Sequence, residues 1–192
     1  MLIYCHGFSS SGQATKAQIL RENFPAGSVL APDLPYEPLS AVETIIKTAR
    51  ESIRKSEILL VGSSLGGFYA LHLHQILGWP ALLLNPTVDP IGDTGRREQM
   101  ESHFEEDALA AWRDEYTDQI RTLYHPAETI DSRNLFVFLN RNDELLDYKK
   151  AAAYFKVSNC RVTFSDTGGH RFENFITLIP TVRAIYDEIR RR

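Results

Sequence analysis

The chain has 192 residues, 43% of them hydrophobic, and a formal net charge of −4 at pH 7. This length and composition predict one domain, residues 1–192, with a sizeable core, and they exclude a disordered chain. The net negative charge argues against a nucleic-acid-binding protein, which would carry a basic face.

Short apolar runs alternate with longer amphipathic ones along the sequence. In chain order, the apolar runs predict strands at residues 2–5, 28–31, 58–61, 81–85, 135–139 and 161–164. The amphipathic stretches predict helices at residues 13–24, 39–54, 65–77, 148–156 and 172–190. The last of these helices contains Pro180, so we expect it to be kinked.

Six strands separated by helices predict an α/β fold, with a mainly parallel sheet and helices on both faces. In such sheets the reactive side chains gather at the carboxyl ends of the strands. Three of the predicted strands end in stretches that can carry chemistry, namely CHGF, GSSLG and NDE.

The polar, acidic segment 93–131 interrupts this alternation. We expect a small helical insertion there, with helices near residues 97–112 and 115–124. Its apolar side chains could form the underside of a small lid or the core side of two surface helices, and we favour the second reading. These side chains are Phe104, Leu109, Trp112, Tyr116, Leu123 and Tyr124.

The expected location follows from the first residues and the cysteines. The opening MLIYCHGF lacks the basic and long apolar segments of a secretory signal. No apolar run approaches the length needed to cross a bilayer, so we expect no membrane contact. The two cysteines, Cys5 and Cys160, are too few for a disulfide framework and suit a reducing compartment. We therefore expect a cytoplasmic protein.

The stretch VGSSLGG places a serine between two glycines where an apolar strand meets a helix. Residues Gly62 to Gly66 match G-x-S-x-G, a turn that presents a nucleophilic serine, here Ser64. Side chains two positions either side of that serine would collide across the turn, and glycine avoids the collision. An ordinary glycine-rich turn or a phosphate-binding loop is the alternative, but the lysine of a Walker A loop is replaced by Phe68.

A serine hydroxyl needs a base, and the expected chain order is serine, acid, histidine. His170 follows the last predicted strand in the glycine-rich stretch SDTGGHRF and is the predicted base. The acid should follow the preceding strand, where NRNDELLDY offers Asp143, Glu144 and Asp147. Asp143 lies closest to the strand end and is the predicted acid, whereas Asp147 is placed to cap the next helix.

The loop after the first strand should face the serine. There, the N–H of Phe8, together with the N–H of Leu65, is the predicted oxyanion hole, with Gly7 as the loop glycine. His6 is expected to position this loop through its ring. Phe8 and Phe68 are the candidates for lining a modest acyl pocket.

The remaining histidines give no metal-site signal. His72 and His74 are two positions apart on a predicted helix and therefore lie on different faces. His103 and His125 fall in the polar insertion and are expected in water. We expect no metal and no cofactor.

The segments LIYCHGF, VGSSLGGFYA, LLLNP, NDELLDYKKAAAYF and GGHRF resemble the small bacterial YqiA/YcfP-type esterases of the α/β-hydrolase superfamily, over nearly the whole chain. The resemblance implies an α/β-hydrolase fold with a trimmed sheet, because the first two strands of the full fold have no counterpart. It implies Ser64 as nucleophile, Asp143 as acid and His170 as base. Asn142 stands where the family usually has glycine, and asparagine tolerates the left-handed conformation.

The resemblance also implies hydrolysis of short to medium acyl esters, so a small-molecule ester or thioester is the expected partner. The first alternative is an acyl-CoA thioesterase with the same triad, in which Arg96, Arg97 or Arg141 would bind CoA. The second is a non-catalytic α/β-hydrolase-fold protein that binds a small ligand. A peptidase ranks low, and the oligomeric state is left open.

Overall fold

The computed structural model describes residues 1–51, 58–94 and 113–191. The predicted helix at 97–112 and residues 52–54 of the helix predicted at 39–54 lie outside these ranges. Within them the strands are β1 Leu2–Cys5, β2 Val29–Leu30, β3 Leu59–Ser63, β4 Ala81–Leu84, β5 Leu135–Asn140 and β6 Val162–Ser165. The α-helices are α1 Thr15–Asn23, α2 Pro38–Glu51, α3 Leu65–Leu77, α4 Pro90–Thr94, α5 Asp114–Leu123, α6 Tyr148–Val157 and α7 Ile179–Arg190. No helix in the described ranges is long and apolar enough to traverse a bilayer.

The six strands form one sheet in the order β2-β1-β3-β4-β5-β6, and every neighbouring pair is parallel. Cys5 at the end of β1 pairs with Gly62, which pairs with Leu83 near the end of β4. The carboxyl ends of these central strands therefore meet at one edge of the sheet. The predicted α/β fold with a trimmed parallel sheet is confirmed.

Alternate residues along the strands face opposite cores. Ile3 and Leu60 belong to a cluster shared with α2, α3, α5 and α6. Their neighbours Leu2 and Leu59 belong to a second cluster shared with α1 and α7. All four side chains are fully buried. Helices thus cover both faces, which explains why the central strands are apolar throughout rather than alternating.

Helix α5 is the part of the predicted insertion that the structure describes most fully. Tyr116, Ile120 and Leu123 on this helix are buried. The Gln119 side chain also accepts a hydrogen bond from the backbone N–H of Leu39 in α2, at 3.1 Å. The apolar side chains of α5 therefore pack against the core, as expected for a surface helix. Residues 104, 109 and 112 lie outside the described ranges, so the small lid stays a prediction. The single domain over residues 1–192 also stays a prediction.

The prediction of one kinked helix over residues 172–190 was wrong. Phe172 has a φ of 53°, and a short 3-10 turn, Phe175–Leu178, precedes α7. Pro180 lies in the first turn of α7. Backbone N–H groups in the first turn have no partner within the helix, so proline is tolerated there without a kink.

Candidate active site

Ser64 lies at the turn between β3 and α3, with φ 55° and ψ −122°. Residues other than glycine rarely adopt this conformation, so the serine is held under backbone strain. A Cβ atom added to Gly62 would lie 2.5 Å from the carbonyl oxygen of Gly66. One added to Gly66 would lie 2.1 Å from the carbonyl oxygen of Cys5. The turn leaves no room for a side chain at either glycine, as the G-x-S-x-G pattern requires.

We expect Gly66→Ala to lower the free energy of unfolding by more than about 4 kcal/mol. The new methyl group would collide with backbone carbonyls of Cys5 and His6, and neither can move without separating β1 from α3. Urea denaturation measures the loss. Gly78→Ala is the matched control, because Gly78 has a φ of 68° but no atom within 4 Å of an added Cβ. The control should lose about 1 kcal/mol, and equal losses in the two variants would contradict the steric argument.

Hydrogen bonds connect the three residues predicted to act together. The Nε2 atom of His170 lies 3.1 Å from the Oγ atom of Ser64. On the other side of the ring, Nδ1 lies 3.0 Å from both carboxylate oxygens of Asp143. With a proton on Nδ1, the ring donates to the carboxylate and its Nε2 can accept the serine proton.

The Asp143 carboxylate is buried, with its side chain 1% exposed. Its Oδ1 also accepts from the backbone N–H groups of Leu145 at 2.9 Å and Leu146 at 2.8 Å. These hydrogen bonds offset the free-energy cost of burying the carboxylate. Asp147 instead caps α6 by accepting from the N–H of Lys149, so its predicted capping role is confirmed.

Asparagine side chains hold the loop that carries His170. Asn85, with a φ of 41°, donates to the carbonyl oxygens of Gly169 at 2.9 Å and His170 at 3.2 Å. Asn140 donates to the same Gly169 carbonyl at 2.9 Å, while Asn142 accepts from the Gly169 N–H at 3.2 Å. Asn142 does not adopt the left-handed conformation that asparagine tolerates. Asn142 instead helps to hold the His170 loop through its side-chain oxygen. Comparing asparagine with the usual glycine by backbone conformation alone does not predict this hydrogen bond.

A cleft of 590 Å³ opens at Ser64 and His170. Lys16, Arg171 and Glu144 also line it, so it carries charges of both signs. The Lys16 ammonium donates to the carbonyl oxygen of Arg171 at 2.6 Å. Burial, with a smaller effect of the Arg171 charge, lowers the pKa of Lys16 to about 8. Lys16 was not predicted from the sequence, because no motif in the first turn of α1 indicates a site.

A second cavity, of 270 Å³, lies beside the same loop. Residues 7–10 line both this cavity and the cleft, so Phe8 borders both. Phe68, predicted as pocket lining, is 3% exposed and lies in the core, where its ring centroid is 6.0 Å from that of Tyr69. Tyr69 lines the second cavity instead.

The loop predicted to supply an oxyanion donor is fixed by His6. The Nε2 atom of this buried ring accepts from the N–H of Leu34 at 2.8 Å, so Nδ1 carries the proton and donates to the Gly7 carbonyl, also at 2.8 Å. Burial lowers the pKa of His6, which favours this neutral form. Leu65 is the first residue of α3, so its N–H has no hydrogen-bond acceptor within the helix. The oxyanion roles of Phe8 and Leu65 stay predictions.

The other histidines that the structure describes have structural partners, and His103 lies outside the described ranges. Both ring nitrogens of His74 lie against carbonyl oxygens, those of Trp79 and Asp131. His125, expected in water, is half-buried, and its Nε2 lies 3.1 Å from Nδ1 of His72. In the part of the chain that the structure describes, no three His, Cys, Asp or Glu side chains are grouped to hold a metal ion.

The chain is similar to one protein family over nearly its whole length. A model of the uncharacterised protein family UPF0227 matches residues 1–186. A UPF0227 protein of Yersinia enterocolitica is 22% identical over 198 residues, which cover 96% of this chain and 97% of that protein.

Solved structures of the α/β-hydrolase superfamily share the fold. Alpha/beta hydrolase domain-containing protein 10 from mouse superposes with a TM-score of 0.72 at 14% identity, covering 98% of this chain and 90% of that one. A structure from the work on LipS and LipT, two metagenome-derived lipolytic enzymes, superposes with a TM-score of 0.71 at 13% identity, covering 97% and 93% of the two chains. At these identities the likeness establishes the fold alone.

Proposed function

The chain belongs to the UPF0227 family and has the α/β-hydrolase fold, and from this premise we propose that it hydrolyses small carboxylic esters through a serine nucleophile. The observation that carries the proposal is the unbroken set of hydrogen bonds from Asp143 through His170 to Ser64. The strained turn at Ser64 adds support, because strain of this kind is concentrated at functional residues. The lipolytic enzymes among the structural neighbours are consistent with this chemistry.

The proposed reaction follows from these contacts. Ser64 Oγ attacks the acyl carbonyl while Nε2 of His170 takes the serine proton. Asp143 holds the proton on Nδ1 and stabilises the imidazolium that forms. The N–H groups of Phe8 and Leu65 stabilise the negative charge on the carbonyl oxygen. His170 then gives its proton to the leaving alcohol, and water hydrolyses the acyl-enzyme by the same steps.

The cavities favour short to medium acyl groups. The 590 Å³ cleft holds Ser64 and His170, and the adjoining cavity adds only 270 Å³, below the usual size of a pocket for a drug-like ligand. Butyrate esters should therefore be hydrolysed at least as fast as octanoate esters. A much faster reaction with long-chain esters would contradict this size limit.

A thioesterase would use the same three residues as an esterase. The two functions can therefore be distinguished only by whether basic side chains near the cleft could bind CoA. Arg141 is engaged elsewhere, 2.7 Å from a carboxylate oxygen of Asp166 and stacked on the ring of Phe164. Residues 96 and 97 lie outside the described ranges. Lys16 and Arg171 line the cleft and would suit an anionic leaving group. A higher kcat/KM for acetyl-CoA than for p-nitrophenyl acetate would favour the thioesterase.

Covalent labelling separates an enzyme from the non-catalytic binding protein. We expect a fluorophosphonate probe to label the wild type and Ser63→Ala but not Ser64→Ala. Ser63 is the matched control, since it precedes Ser64 in the same turn and is buried. No labelling of the wild type, with no hydrolysis of acetate, butyrate or octanoate esters, would instead support the binding protein.

We expect Glu144→Ala to lower kcat about tenfold. One carboxylate oxygen of Glu144 accepts from the backbone N–H of His170 at 2.8 Å and so helps to position the base. Glu144→Gln should lose less, because its amide oxygen can still accept. Glu173→Ala is the control in the same cleft, and steady-state hydrolysis of p-nitrophenyl butyrate is the measurement. Equal kcat in Glu144→Ala and the wild type would contradict the positioning role.

A further inference from the structure

Two basic side chains line the cleft without an acidic partner. The Lys16 ammonium carries several N–H groups, and it donates one of them to the carbonyl oxygen of Arg171 at 2.6 Å. Among the residues that the structure describes, neither Lys16 nor Arg171 forms an ion pair with a carboxylate. Both side chains therefore keep N–H groups that a bound anion could accept from.

The placement of Lys16 is unusual for a lysine. Lysine side chains are mostly exposed in proteins, whereas Lys16 is half-buried in the wall of the cleft. Burial and, second to it, the charge of Arg171 lower the pKa of Lys16 to about 8, so most of the ammonium is still charged at pH 7. Two like charges close together repel each other, and an anion bound to both would remove this repulsion.

The acidic side chains of the cleft do not neutralise the two cations. Glu144 and Glu173 also line the cleft. One carboxylate oxygen of Glu144 accepts from the backbone N–H of His170 at 2.8 Å, and Glu173 is exposed. These carboxylates would repel a doubly charged phosphate more than a singly charged carboxylate. A carboxylate is therefore the anion that the cleft suits best.

The position of the two cations relates them to the alcohol half of an ester. In the proposed reaction, the leaving oxygen takes its proton from Nε2 of His170, so the alcohol leaves beside that ring. Arg171 directly follows His170, and its carbonyl oxygen holds the Lys16 ammonium. Neither cation lines the 270 Å³ cavity, which leaves that cavity for the acyl half.

We propose that Lys16 and Arg171 form a subsite for a carboxylate on the alcohol half of the ester. This assignment rests on the proposed ester hydrolysis at Ser64 and names its substrate class, the acyl esters of small hydroxy acids. Because Arg171 is the residue next to the base, the carboxylate should be only a few bonds from the ester oxygen.

The test compares 4-acetoxybenzoate with 4-acetoxybenzamide, which are similar in size but differ by one charge on the alcohol half. The wild type, Lys16→Met and Lys16→Arg are each assayed for kcat/KM at pH 7. We expect the ratio of kcat/KM for the benzoate to that for the benzamide to fall about tenfold in Lys16→Met. Lys16→Arg keeps the charge and should keep most of the ratio, while Arg171→Met should lower it. Intrinsic differences in ester reactivity cancel between the proteins.

Lys156→Met is the matched control, because it removes one positive charge from an exposed position on α6 outside the cleft. It should keep the wild-type ratio, and an equal fall in this variant would overturn the subsite. So would equal losses on both esters in Lys16→Met, since Lys16 would then act only by holding the Arg171 carbonyl. A wild type that hydrolyses p-nitrophenyl acetate but not 4-acetoxybenzoate would also overturn the subsite, and the proposed function would stand without it.

A carboxylate on the acyl half tests the placement of the subsite. Monophenyl succinate and phenyl succinamate differ by the same charge, now carried by the acyl group. Their kcat/KM ratio should be the same in Lys16→Met as in the wild type. A fall as large as that for the acetoxy pair would mean that the cations do not select the alcohol half, which would overturn the assignment.

A binding measurement tests the subsite without catalysis. The two leaving alcohols, 4-hydroxybenzoate and 4-hydroxybenzamide, are titrated into Ser64→Ala and into Ser64→Ala/Lys16→Met by calorimetry. Tighter binding of the carboxylate that disappears in the double variant supports the subsite, even if no ester is hydrolysed and the proposed function fails. Equal affinity for the two alcohols in Ser64→Ala, no binding of either, or a preference that persists in the double variant would overturn it.

Discussion

Replacing Ser64 with alanine is expected to lower kcat for p-nitrophenyl butyrate by about 10⁶-fold. The variant lacks the oxygen that would form the proposed acyl-enzyme, while the cleft and the predicted oxyanion donors remain. His170→Ala should lose about as much, because its Nε2 lies 3.1 Å from Ser64 Oγ and the two groups act as one unit. The double variant should therefore be no slower than either single variant. Steady-state kinetics at equal concentrations of folded protein provides the measurement.

The control for this series is Ser63→Ala, which removes the neighbouring hydroxyl in the same turn and should keep most of the activity. Circular dichroism shows whether each variant is folded. Multiplicative losses in the double variant would mean that Ser64 and His170 act independently. Activity retained in Ser64→Ala would mean that the hydrolysis takes place elsewhere.

Asp143→Asn is expected to lower kcat by about 10⁴-fold at pH 7. The carboxylate lies 3.0 Å from Nδ1 of His170 and keeps the ring proton on that atom. An asparagine amide can donate to Nδ1, which moves the ring proton to Nε2. In that tautomer Nε2 cannot accept the proton of Ser64.

Asp147→Asn is the matched control, since asparagine also caps helices and Asp147 only caps α6. It should keep the wild-type kcat. A loss below tenfold in Asp143→Asn would remove Asp143 from the proposed reaction, and Glu144 would then be the next acid to test.

The sequence was sufficient to bring Ser64, Asp143 and His170 to one place. Ser64 and Asp143 follow strands that are largely buried, His170 follows the more exposed edge strand β6, and the carboxyl ends of parallel strands share one edge of the sheet. The positions of the three residues just after predicted parallel strands were therefore enough to predict that they lie close together. The glycine at 62 was also readable, because the collision that it avoids involves only residues close in the chain, whereas the glycine at 66 was readable from the turn pattern but avoids the distant carbonyls of Cys5 and His6.

Only part of the lining of the cavities could be predicted from the sequence. Phe68 and Tyr69 are adjacent on α3, and both are buried. Which ring borders the cavity depends on how α3 is rotated against the loop after β1, a contact between distant parts of the chain. The same holds for Asn85, whose amide bonds a loop 84 residues further on. The sequence periodicity of a single helix or strand does not predict such contacts between distant segments.

The loop that carries His170 is tied to the ends of β4 and β5 mainly by neutral amides, those of Asn85, Asn140 and Asn142, with the Glu144 carboxylate as a charged addition. Dissolved salt screens interactions between charges but leaves bonds between amides and carbonyls largely intact. The hydrogen-bonded arrangement of Ser64, Asp143 and His170 should thus tolerate a wide range of ionic strength. A salt dependence of the proposed hydrolysis would then report on the charge of the assayed substrate as it meets Lys16 and Arg171 in the cleft, and a rate that falls with added salt would indicate that the cleft attracts anionic substrates.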